Sequence, residues 1–438
     1  MTAGTAARSA VTAPAAMGVL GAAALVAGSM IGSGVYLLPA SLASIGSISI
    51  LGWLAATGAA LALAAMFAWL AAIAPDAEGL AGYVQVGLGR FFGVQATVVY
   101  WACNWVGTVA VALAAAGYAG FLIPALAAPA PRLFTTLAVI WLGVTASWIG
   151  PRVVARVEGV TLFAGLAPIL LVAVAGWFWF DPGLFARGWN PSGAEPFAAV
   201  RSSALTAFWA FLGLECAAAV AGVVRDPARN VPRATMVGVL SAATLYIAAC
   251  TVLMGLLPAA ELARSSAPFS DATRAILGIG GAGLIAVCAF LRAGGCATGW
   301  VLVTAETTRE AADQDAFLPA FKSRPGEPAS AVNLLTTGGL MSLVAVLTST
   351  PTLGAQFARL ANVAVILSLM VYVLAAFSLL RLRGRFRTSG LRAGATATAI
   401  VAVACAIALI ASASAVELAW ACAPPLAAAV LYMRLRRR

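Results

Sequence analysis

Residues 28–39 read GSMIGSGVYLLP, three glycines, two serines and a proline inside a run that is otherwise apolar and long enough to cross a bilayer. What the interruption means depends first on whether the run is a membrane helix. Of 438 residues, 62% are hydrophobic and 9% charged, whereas a soluble domain carries roughly a quarter charged residues. Apolar stretches of the ~20 residues that one crossing needs recur along the chain. Divided at polar and Pro/Gly-rich segments, they fall at 16–44, 48–72, 92–125, 132–149, 157–180, 202–222, 234–257, 279–305, 332–349, 355–380, 394–414 and 416–433. Lipid admits only helices or closed barrels, and barrel alternation is absent. The pattern predicts an all-α integral membrane protein with twelve transmembrane helices and no soluble domain of useful size.

Positive charge collects in loops that stay cytoplasmic. With the N-terminus inside, most of the 26 Lys and Arg fall on that face, notably Arg225, Arg229 and Arg233, the run Arg381, Arg383, Arg385, Arg387 and Arg392, and the tail Arg434, Arg436, Arg437 and Arg438. Both termini are therefore expected in the cytoplasm, and the net charge of +11 is explained by topology and by attraction to anionic lipid, with no nucleic-acid partner. Residues 1–15 read as a cytoplasmic tail and 434–438 as another. The span after the first tail is too long for a cleaved signal peptide.

The seven cysteines, Cys103, Cys216, Cys250, Cys288, Cys296, Cys405 and Cys422, lie in apolar segments without CxxC spacing and read as packing residues. Histidine is absent, which removes the usual metal ligand and general base. No HExxH, acidic pair or Ser/His arrangement appears, and GSMIGSGV lacks the lysine of a phosphate loop. The chain reads as no enzyme, with no cofactor and no metal. A scaffold of helices would explain the spans but not their interruption. Nor would it explain Glu215, an acid deep in LTAFWAFLGLECAAAV, where an ionisable group costs a few kcal/mol and faces a cavity, a buried partner or a permeation path.

Two interrupted places can be compared. The first span breaks at Gly32-Ser33-Gly34 and the sixth at Gly213, each about midway and five spans apart. Interrupted helices in corresponding places of two halves point to an inverted-repeat transporter with a midplane site. The repeats would be 16–180 (spans 1–5) and 202–380 (spans 6–10), with 394–433 as two further helices. Glycine lets the backbone leave the helix, freeing N–H groups for a carboxylate and carbonyls for an ammonium. Close packing of helices through small residues is the competing reading for a single span.

At these residues the sequence resembles the amino acid–polyamine–organocation transporters, and within them the basic amino acid and polyamine antiporters. The likeness runs over nearly the whole chain, on GSGVYLLPASLASIGSISILGWL (32–54), GWFWFDPGLFARGWNPSG (176–193), LTAFWAFLGLECAAAVAGVVRDPARNVPRAT (205–235), SSAPFSDA (265–272) and GWVLVTAETTREAADQDAFLP (299–319). The resemblance implies the leucine-transporter-like fold with helices 1 and 6 discontinuous. It implies a substrate α-carboxylate at Ser33 and Gly34 with Gly32 and Ile31 beside them, and an α-amino group at the carbonyls of Met30, Trp209 and Leu212. By the same likeness Trp209 and Trp300 enclose the cationic side chain, where indole faces attract guanidinium or ammonium by about 0.5–2 kcal/mol. Tyr100 is the implied gating residue and Glu215 the implied sensor of protons or substrate charge.

The departures fall where selectivity is set. Thr108 stands where an arginine exchanger of this family has asparagine, Asn104 where it has cysteine, with Cys103 adjacent, and Ala364 where it has serine. Arg292, inside the eighth span, is left with three readings: snorkelling, lining a vestibule, or neutralising Glu215. A sodium requirement is not expected, since no extra carboxylate lies near the breaks. The resemblance implies exchange, in an inner membrane, of a cationic amino acid for its decarboxylated amine, with a neutral amino acid as the alternative substrate and a homodimer formed through the last two spans.

Overall fold

The computed structural model describes residues 18–75, 77, 79–215, 227–323, 329–349 and 352–436, the side chains of Leu25, Ser33 and 227–229 excepted. The terminal tail 1–15, Cys216 and the second half of the sixth predicted span lie outside these residues. Among the described residues nine helices are long and apolar enough to cross a membrane. The chain is a multi-pass, all-helical membrane protein.

The helices run in the order α1 (Val19–Met30), α2 (Leu38–Ala43), α3 (Ser49–Ile73), α4 (Gly79–Leu88), α5 (Arg90–Leu122), α6 (Pro129–Ile149), α7 (Pro151–Ala175), α8 (Pro182–Arg187) and α9 (Pro196–Phe208). Then come α10 (Pro227–Leu256), α11 (Ala259–Leu262), α12 (Pro268–Asp313), α13 (Ala331–Leu347), α14 (Leu353–Leu382), α15 (Ser389–Ile410) and α16 (Ala415–Arg436). The predicted first span is thus not one helix. It is α1, a short 3₁₀ turn at Ser33–Tyr36 and α2. The predicted eighth span begins at 279 for a physical reason: α12 is interrupted at Gly278, whose φ of 67° and ψ of −175° no helix contains.

Three helices make the centre. α5 packs most extensively against α12 and α14, and α12 also against α7. The stretch Val109–Gly120 of α5 is buried without a gap, and its alanines and glycines let neighbouring backbones approach closely. By contrast α15 and α16 lie at the edge, with Ile400, Val401, Ile407, Leu426 and Val430 exposed as lipid-facing side chains are. Glu417, buried near the start of α16, accepts from Asn362 Nδ2 at 2.8 Å and from the Ser414 amide at 2.7 Å, which fastens α16 to α14.

Candidate functional site

The two interruptions meet. α1 ends at Met30; Ile31 turns out of the helix at φ −72°, ψ 67°, and Gly32 is extended at φ −86°, ψ −172°. On the other side α9 ends at Phe208, a 3₁₀ turn covers Trp209–Phe211, and Leu212 is extended. Gly213 follows with φ of +102°, and a β-carbon there would stand 2.9 Å from the Ser29 carbonyl oxygen. Ser29 Oγ in turn donates to the Gly213 carbonyl at 3.2 Å. Gly213 is therefore glycine for two reasons, its left-handed backbone and the α1 backbone pressed against it.

Between the breaks lies a cavity of about 20 Å³ lined by Ser29, Met30, Gly32, Gly34, Val35, Val111, Trp209, Ala210, Leu212, Cys296 and Trp300. That is room for little more than one water. Its lid is aromatic. The rings of Trp209 and Trp300 stack at 6.0 Å and 23°, and Phe357 meets Trp209 edge-on at 6.0 Å. The Trp209 indole occupies the space where Gly34 would carry a side chain, and Gly107 of α5 faces both indoles. The first amides of a helix have no acceptor within it, and at the second part of the broken span those amides belong to Ser33 and Gly34. The Met30 carbonyl accepts from the Gly32 amide at 2.6 Å and that of Trp209 from Leu212 at 3.2 Å, each keeping one lone pair.

Two clusters flank this cavity. On the side of the breaks where Glu215 lies, its Oε1 accepts from Tyr100 Oη at 2.6 Å and its Oε2 from Tyr372 Oη at 2.5 Å and from the Gly213 amide at 3.2 Å. One carboxylate thus ties α5, α14 and the second break together. On the side where the chain continues into α2, Tyr36 packs edge-on against Tyr118 at 5.5 Å and Phe269 at 5.3 Å. Tyr36 Oη donates to the Gly165 carbonyl, and Tyr118 Oη to that of Tyr36 at 3.2 Å.

The remaining residues singled out from the sequence stand apart from the cavity lining. Thr108 Oγ1 donates to the Asn104 carbonyl of its own helix at 2.8 Å, and Asn104 Nδ2 is buried without a partner. Cys103 Sγ lies 3.0 Å from Ser368 Oγ, and Ala364 is fully buried in α14. Arg292 does not snorkel: it is 3% exposed, and its Nη2 donates to the Ile31 carbonyl at 2.9 Å, while Glu215 is held by tyrosines. Sequence reasoning missed Tyr372, Cys296 and Gly107. For Tyr372 the available signal was a single phenol in the middle of the apolar run LMVYVL.

A larger cavity of about 500 Å³ opens between α5, α13, α14 and α16. No charged side chain lines it, and neither helix break reaches it, so it offers no group to pair with a carboxylate.

Known proteins share this arrangement of sequence. A family described as amino acid permease matches residues 17–425. The chain is 34% identical over 358 residues to the putrescine transporter PotE of Escherichia coli (strain K12), covering 82% of each chain. It is 32% identical to the putrescine transporter PotE of Haemophilus influenzae, again over 82% of each. To the cadaverine/lysine antiporter of Escherichia coli (strain K12) it is 33% identical over 377 residues, 84% of each. A match that runs from the first helix into the last, over a chain whose two broken helices meet at one cavity, makes this protein a member of the amino acid permease family.

Proposed function

We propose that the protein is a secondary transporter that exchanges a cationic amino acid for its decarboxylated amine, as arginine for agmatine or ornithine for putrescine, by alternating access. The observation that carries the reading is the meeting of the two helix breaks under the stacked Trp209 and Trp300, in a chain about one-third identical to diamine and diamine/amino acid carriers. The amides of Ser33 and Gly34 take the α-carboxylate, and free lone pairs on the Met30, Trp209 and Leu212 carbonyls take the α-ammonium. Indole faces hold the cationic side chain. Admission requires Trp209 to swing off Gly34, since a 20 Å³ space holds no amino acid. Thr108, Asn104, Cys103 and Ala364 form the wall behind the lining, where they set its shape.

The spans 16–180 and 202–380 act as inverted repeats around this midplane site. Both termini lie in the cytoplasm, the membrane is the inner one, and α15 and α16, outside the repeats, form the surface of a homodimer. The Tyr36–Tyr118–Phe269 cluster then seals the outer route and Tyr100–Glu215–Tyr372 the inner route. The two phenols donate charge-assisted hydrogen bonds to the Glu215 carboxylate. A proton on Glu215 removes an acceptor and loosens the inner seal. Exchange follows because bound substrate stabilises the occluded state through which the carrier turns. No step requires bond-making chemistry or a cofactor.

Purified protein in liposomes loaded with arginine, agmatine, ornithine, putrescine, lysine, cadaverine or a neutral amino acid tests this. Uptake of each labelled compound is followed against each internal load, at two pH values and with sodium replaced. Rapid uptake only against a cationic load is expected. The buried Arg292 guanidinium favours a second reading, exchange of neutral amino acids, and uptake of those alone would establish it in place of the first.

A further inference from the structure

Arg292 is a buried cation beside the site that the proposed exchange leaves unused. Its side chain is 97% buried from solvent, since only 3% of it is exposed. Its stem lies over Gly165 of α7, where any β-carbon would overlap it. Of its three nitrogens only Nη2 is engaged, with the Ile31 carbonyl at 2.9 Å; Nε and Nη1 are buried without a hydrogen-bond partner. None of the four ion pairs among the described residues includes it. A buried guanidinium with unmet donors calls for an anion, because leaving a buried charge uncompensated is costly.

The groups around it are few. Tyr36, Tyr246 and Glu158 lie within its electrostatic reach, with Cys288 and Cys296 near the same phenols. Glu215 is taken by its two tyrosines. Glu158 packs against Gly299, seven residues further along α12, roughly 10 Å at 1.5 Å per residue. The transport cavity is nearer along the chain in both directions. Met30 and Gly32, the neighbours of Ile31, line it, and so does Cys296, one turn beyond Arg292 on the same face of α12.

We propose that Arg292 is a carboxylate subsite of this cavity and the residue that sets its preference for amino acids over amines. The inference rests on the exchange reading above. An amino acid brings its carboxylate to the broken segment, where the fixed cation attracts it and the free N–H groups can donate to it. The decarboxylated amine brings no carboxylate and meets a like charge. Within each matched pair the amino acid therefore binds more tightly than the amine, and this difference depends on Arg292.

The test measures Kd for three pairs, arginine and agmatine, ornithine and putrescine, lysine and cadaverine, by calorimetry on the purified wild type and on Arg292→Gln, Arg292→Lys and Glu158→Gln. Arg292→Gln is expected to shift the amine-to-amino-acid affinity ratio toward the amine by about tenfold or more, the effect of losing a charged hydrogen-bond partner. Arg292→Lys, which keeps the charge, and Glu158→Gln are expected to hold the ratio within about threefold, which is small beside that effect. An unchanged ratio in Arg292→Gln overturns the inference while leaving exchange intact, and so does a large shift in Glu158→Gln, which would make Glu158 the partner. If Arg292→Gln fails to fold, the wild type alone decides, since tighter binding of the amine in all three pairs overturns the inference. Binding of none of the six compounds by the wild type overturns the exchange reading itself.

Discussion

Trp209 is 5% exposed and packs against the rings of Trp300 and Phe357 and against Gly34 and Gly107. In the exchange proposed above, its ring slides off Trp300 and a cation enters between the two indoles. Trp209→Leu removes one face, worth about 1–2 kcal/mol when desolvated, and should raise Kd for a cationic substrate about five- to thirtyfold; an unchanged Kd by calorimetry would take Trp209 out of the site. Glu215 is the other residue to which the proposed exchange gives a chemical role. Glu215→Gln keeps an amide oxygen for one tyrosine but takes up no proton, so the dependence of transport rate on pH should flatten, as proteoliposome uptake would reveal. Glu215 was legible in the sequence because an acid in the middle of an apolar run is out of place there, whereas Trp209 was singled out by the likeness to the antiporters. Tyr372, Gly107 and Cys296 were not. Glycine occurs 43 times and cysteine seven times, and only packing tells a glycine that faces two indoles from one that faces lipid. For Arg292 the sequence supplied the anomaly but not the partner, which lies 261 residues away at Ile31.

Among the elements, the broken segments are where sequence and geometry agree most closely. GSG at 32–34 predicted a break and the helix stops at Met30; Gly213 predicted the second, and the chain turns there with φ of +102°. What the sequence did not reveal is that the second break leans on the first through Gly213 and Ser29, since a contact between spans leaves no local pattern. The extent of the helices was also only partly legible: the 279 boundary coincides with the Gly278 interruption, but the helical residues 268–277 before it were not anticipated. A methyl group at Gly213 must adopt a strained backbone and press on the Ser29 carbonyl at 2.9 Å. Gly213→Ala should therefore destabilise the fold by about 1–3 kcal/mol, seen as a lower unfolding temperature in detergent together with lost transport. Gly283→Ala is the matched control, because nothing lies within 4 Å of its added β-carbon. Equal unfolding temperatures for the two variants would mean that the second break carries no strain.

At the scale of the molecule, the small cavity lies between two separate clusters, the aromatic one at Tyr36, Tyr118 and Phe269 and the carboxylate one at Glu215. Alternating access requires that either cluster part while the other holds, and that the cavity open to water in turn. Cys296 reports on this directly, since its sulfur lines the cavity and would lie 3.3 Å from a β-carbon at Gly32. At 3% exposure it is shut off from solvent when both clusters are closed, and thiols react only when a reagent reaches them and they ionise. In a protein with the other six cysteines replaced, a small maleimide should therefore label Cys296 slowly without substrate and block exchange as it does so. Saturating cationic substrate should slow the labelling, because the cavity is filled and the occluded state favoured. Labelling at one rate with and without substrate, with exchange undiminished, would show that Cys296 lies off the route and that the path runs elsewhere through the bundle.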